Sequence, residues 1–312
     1  MCPRCGADYA KAEAIKAHGR AAPAADLPAI AIEEAEPAAL EREATANGEW
    51  AHVDDADLEW KFCIGAMPIA LCIALVFNVS GLGASLQRIF LTMPVHELGH
   101  AVTAWFCGFA AIPTLWKTLV PETRGFIAPL ALLGALGHMT YRAHAGNKRI
   151  AMVAGIALIV LQAIATLVIK PDTATMLITF GGDGMGMILA VLLMASFYFG
   201  KNTQLYKGSL RWGFVLIGAA SFVDIFATWW KARSDEGAIP YGTTGGMATD
   251  SMTLVDVYGW SMQALVNRYL FLGICCMLLL AAVYTWGLLA AKAEMDKRQL
   301  AQKRGDWAMR KR

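Results

Sequence analysis

Seven apolar runs, most of them near twenty residues long, constrain this chain more than any other feature: residues 62–80, 86–107, 126–141, 150–169, 176–199, 212–230 and 266–290. About twenty helical residues cross the ~30 Å hydrocarbon core of a bilayer, and inside it only helices and closed barrels can satisfy their own backbone groups. The runs are continuous and show no period-two alternation, which argues against a transmembrane barrel. A hydrophobic share of 57% and a mean hydropathy of +0.45 agree. The expected fold is therefore all-α, a polytopic transmembrane helical bundle with six or seven apolar segments.

The second run carries His96-Glu97-Leu98-Gly99-His100. On a helix, positions i and i+4 share a face, so both imidazoles can hold one Zn2+ while Glu97 stands beside the open coordination position. Water on the metal has its pKa lowered to about 7, and the carboxylate can take its proton and pass it to a leaving amine. With six His and twelve Glu in 312 residues, shuffled sequences contain this pattern roughly 0.004 times per chain, so coincidence explains it poorly. Its depth adds weight, because each ionisable group at the bilayer centre costs on the order of 2 to 3 kcal/mol. A polar turn packed against another helix is the alternative.

Catalytic zinc takes three protein ligands and one water, so the motif leaves one ligand to find. Asp183 is the first choice. It lies in the fifth run within Gly181-Gly182-Asp183-Gly184-Met185-Gly186, where glycines let another helix come close. A solvated Asp in a surface loop is the competing reading. Asp224, Asp250, Asp256 and His138 rank behind it.

The stretch His96–Trp105, HELGHAVTAW, together with Asp183-Gly184, resembles the site-2 protease family of intramembrane zinc metalloproteases, and most of all its uncharacterised bacterial members. The resemblance covers residues 86–199. It implies a zinc site made from His96, His100 and an Asp of a later helix, with Glu97 as the catalytic base. It also implies cleavage of membrane-anchored substrates in or near the bilayer. The Asn-Pro or Leu element that usually precedes the family's Asp-Gly is absent here.

Residues 1–60 differ in character. Ala, Glu and Pro dominate residues 21–44, which reads as a disordered acidic linker, and residues 1–26 lack the apolar core of a signal peptide. Cys2 and Cys5 form one knuckle of a zinc ribbon, a separate structural site that needs a second pair of ligands, or else a remnant. The membrane domain then spans residues 61–291, and residues 292–312 form a basic tail. Basic residues at Arg142, Lys148 and Arg149, at Lys201, Lys207 and Arg211, and in the tail place two connections and the C-terminus in the cytoplasm. The N-terminus joins them there if one early run is re-entrant, with Pro94, the Gly134–Gly137 region and residues 109–124 as the irregular places.

Trp229-Trp230 with Lys231 and Arg233 reads as an interfacial belt with snorkelling cations. A net charge of +2 gives no reason to expect nucleic acid as a partner. The expected surroundings are the cytoplasmic-membrane bilayer and a membrane-anchored protein substrate. Two other functions fit the sequence: a non-hydrolytic zinc-binding chaperone or sensor on the same frame, and a transporter or scaffold whose HExxH only packs.

Overall fold

The structure, a computed structural model, describes residues 56–199, 210–244 and 246–310. The expected linker and its Cys2 and Cys5 lie outside the described residues. Nine α-helices are present among those described, in the order α1 (Ala56–Val79), α2 (Gly81–Gln87), α3 (Met93–Phe106), α4 (Ile127–Ala145), α5 (Arg149–Leu167), α6 (Pro171–Ala195), α7 (Leu210–Ala232), α8 (Asp250–Asp256) and α9 (Met262–Arg310). Two short antiparallel hairpins, β1–β2 (Ile112–Pro113, Thr118–Leu119) and β3–β4 (Thr243–Thr244, Met247–Ala248), are the only strands among them. The all-α membrane bundle read from the sequence is the observed architecture.

Five helices are long and apolar enough to cross a membrane: Glu59–Val79, Arg149–Leu167, Pro171–Ala195, Leu210–Ala232 and Met262–Leu300. The second and third apolar runs are helical but fall short of that standard. The second is divided into α2, a π-helical turn at Arg88–Thr92, and α3. Pro94 explains the break. It has no N–H and its ring crowds the carbonyl four residues back, so it sits most easily in the first turn of a helix, and the wide turn before it absorbs the misfit.

The interior is built around α6 and α7, each with 50% of its apolar window buried, while α5 has 11%. α3 runs across α6 at a contact between backbones. A Cβ on Gly99 would lie 2.5 Å from the Gly181 carbonyl and 2.7 Å from that of Gly182, so only glycine permits the approach. α7 holds the π turn from the other side. Gln87 Nε2 donates to the Ala220 carbonyl at 3.1 Å, Ser221 Oγ donates to the Leu91 carbonyl at 3.1 Å, and Arg88 pairs with Asp224 at 3.1 Å.

Candidate metal centre

The glycine crossing brings the face of α3 that carries His96 and His100 onto the middle of α6. Asp183 is the midpoint of the 25-residue α6, about 18 Å from either end at 1.5 Å per residue. The site therefore sits at the mid-depth of a helix long enough to span.

His100 Nδ1 lies 2.7 Å from the Ile178 carbonyl, and His96 Nδ1 lies 2.8 Å from Asp183 Oδ1. A carbonyl and a carboxylate can only accept, so both imidazoles carry their proton on Nδ1 and donate it. In the neutral rings this leaves both Nε2 atoms as bare lone pairs. They face each other at 3.1 Å. A carboxylate joins them: Asp250 Oδ2 lies 3.2 Å from His96 Nε2 and 3.1 Å from His100 Nε2. Two lone pairs and an anion around one point repel one another unless a proton or a metal cation lies between them. One nitrogen from each His and one oxygen from Asp250 all fall within 4.8 Å of one another, and an N/N/O set of this kind fits zinc with a position to spare.

Asp183 is thus placed differently from the sequence expectation. It faces Nδ1 of His96, behind the ring, and Asp250 is the carboxylate that lies against the two Nε2 atoms. The reason is packing. Gly182 rests against both rings, so the neighbouring carboxylate reaches the rear nitrogen of His96, and Trp229 Nε1 donates to its other oxygen, Asp183 Oδ2, at 2.8 Å. Trp229 is only 1% exposed and stacks on Tyr269 at 4.1 Å, and Tyr269 in turn donates to the Phe180 carbonyl. Trp229 therefore belongs to the interior and not to the interfacial belt; Trp230, 46% exposed with Arg233 above its ring, keeps that reading.

Asp250 opens α8, where Thr249 caps the helix by accepting from Met252 N–H. The connection of residues 233–261 between α7 and α9 must fold back into the bundle to deliver it. Tyr258 Oη donates to Thr175 Oγ1 of α6 at 2.9 Å, and Leu254 is fully buried, which together hold α8 in place. Tyr241 Oη donates to Asp256 at 2.6 Å within the same connection, and this hydrogen bond pushes the exposed phenol above its ordinary pKa.

Glu97 is buried on α3 beside the two histidines. Its Oε2 accepts from Thr118 Oγ1 at 2.8 Å, and the same hydroxyl lies 2.7 Å from the Glu97 carbonyl. Thr118 belongs to β2, and the hairpin is anchored where Trp105 Nε1 donates to the Ala111 carbonyl.

The remaining candidates lie apart from this centre. Asp224 is paired with Arg88, Asp256 accepts from Tyr241, and His138 is exposed on α4. Thr118 and Trp229 are functional candidates that sequence reasoning missed. Nothing in the sequence marks a threonine 21 residues from Glu97 as its partner, whereas a Trp doublet in an apolar run invites the belt reading. The chain matches no protein-family model, no curated protein and no solved structure.

Proposed function

We propose that the protein is an intramembrane zinc metalloendopeptidase that hydrolyses peptide bonds of membrane-anchored substrates. His96, His100 and Asp250 are the metal ligands in this reading, and Glu97 is the general base. The observation that carries it is the pair of facing Nε2 atoms closed by Asp250, with a buried carboxylate one residue along the same helix.

Bound zinc would supply a Lewis acid for the scissile carbonyl and a water that ionises near neutral pH. With the metal in place, Glu97 would serve as the base for that water and would pass the proton to the departing amine. Thr118 holds that carboxylate by one oxygen, Oε2. Asp183 fixes the His96 ring and strengthens its Nε2 as a donor to metal, and Trp229 fixes Asp183. Basic residues around Arg149, Arg211 and the tail support a cytoplasmic C-terminus.

The test uses the full chain in detergent with Cys2→Ser and Cys5→Ser, so that only the membrane site is counted. Elemental analysis should find about one zinc per chain, and none in Asp250→Ala. Glu97→Gln should keep the metal and lose cleavage of a membrane-anchored reporter. Cleavage that survives Glu97→Gln would sink the peptidase reading. Metal binding without cleavage of any anchored reporter would leave the non-hydrolytic chaperone or sensor, and no metal would leave the scaffold.

A further inference from the structure

A second feature lies away from the metal centre and does not depend on how that centre is read. α1, α7 and α9 enclose an apolar groove of about 700 Å³, lined by Cys72, Leu75, Phe226, Trp230, Ala281 and Tyr284 among others. Short side chains at Cys72, Ala227 and Ala281 leave the hollow between larger neighbours. All three helices are long and apolar enough to cross a membrane, so the groove opens toward hydrocarbon. An apolar concavity left empty forfeits dispersion contacts on every wall, and an acyl chain restores them.

One end of the groove is charged. Trp230 closes it, and the Arg233 guanidinium lies 4.3 Å above the Trp230 ring. Among the described residues Arg233 has no carboxylate partner. The carboxylate nearest in sequence, Asp235, lies 4.0 Å from Lys231 and accepts from Gly237 N–H. A Trp and a cation at the end of a spanning helix mark the depth of lipid headgroups. A guanidinium free of protein anions at that depth suits a phosphate.

We propose that this groove binds one anionic phospholipid, its acyl chain along Cys72, Phe226 and Ala281 and its phosphate at Arg233. The size decides between a lipid and a helix. The groove has the volume of a small-ligand pocket, about 300 to 1,000 Å³, whereas a helix with side chains is about 10 to 12 Å across and needs an open face.

The experiment is native mass spectrometry of the full chain in detergent, with palmitoyl-oleoyl phosphatidylglycerol and, in parallel, the matching phosphatidylcholine. Cys72, which is exposed, reports occupancy through maleimide alkylation in a chain carrying Cys2→Ser, Cys5→Ser and Cys275→Ser. One phosphatidylglycerol should be retained per chain, about tenfold more tightly than phosphatidylcholine, and it should slow Cys72 alkylation. Arg233→Gln should bring the two lipids level, and Ala227→Trp should abolish retention by filling the groove. Equal retention of both lipids by the unaltered chain would overturn the proposal. So would undiminished retention by Ala227→Trp, or protection of Cys72 without lipid, which would mean a second copy covers the groove. Arg233 is exposed, so its variant keeps the test valid even if Ala227→Trp does not fold.

Discussion

α5 and α6 are consecutive in the chain and both long enough to span, yet the more apolar of the two is the less buried. α5 leaves Ile156, Val160 and Leu161 about half exposed, while α6 buries Gly181, Gly182, Asp183, Gly184 and Gly186. In water the order would be reversed, because apolar surface is driven inward. In a bilayer the lipid is as apolar as Leu, so helices associate through small residues that allow close approach and polar groups that need partners. The interior of this protein is therefore marked by its glycines and ionisable residues, and the candidate metal centre lies where the two coincide.

The sharpest way to break this comparison is to remove a ligand. Asp250→Ala should abolish metal retention altogether, from about one zinc per chain to none, while α5 substitutions leave the count unchanged. The next effect comes from Gly182→Ala. A Cβ there would lie 2.5 Å from His96 Cε1 and 2.6 Å from His100 Nε2, so the rings or the helices must move apart. A destabilisation of about 1 to 3 kcal/mol is expected, together with weakened metal binding, read by thermal unfolding in detergent and by metal titration. A Gly182→Ala variant with wild-type metal affinity would show that the crossing does not position the rings.

Asp183→Asn tests the charge behind His96 with little change of shape. Outer groups of this kind typically contribute 10- to 100-fold in metal affinity, so a competition assay with a coloured chelator should find a loss in that range with one zinc still bound at saturation. Complete loss of the metal would instead return Asp183 to the ligand role that the sequence suggests for it.

The difference between those outcomes follows what a sequence can carry. His96, Glu97 and His100 are legible because helical periodicity alone puts them on one face. The glycines around Asp183 are legible as a place of close approach, and Gly99 is what approaches. The partner of each ring is not legible, since it depends on how far α3 slides along α6. Asp250 ranks low in sequence because it sits in a polar, Gly-containing connection, and hydropathy does not say that this connection folds back between the helices. Thr118 and Trp229 are hidden for the same reason: each acts across an interface that only packing defines.

Trp229→Phe should have a smaller effect than Asp183→Asn. The ring survives to stack on Tyr269, and the one loss is the Nε1 hydrogen bond to Asp183 Oδ2. A single hydrogen bond to a charged group contributes about 1.5 to 3 kcal/mol to the arrangement it holds, and only part of that reaches the metal, so the expected loss of affinity is about tenfold or less. Leu161→Ala on α5 is the opposite limit. The side chain is 53% exposed on a helix apolar enough to cross a membrane, so its removal should shift stability by within about 0.5 kcal/mol and leave metal affinity untouched. If Leu161→Ala proved as costly as Trp229→Phe, the outer face of α5 would itself be a packed surface, and the contrast between α5 and α6 would fail as a guide to the interior.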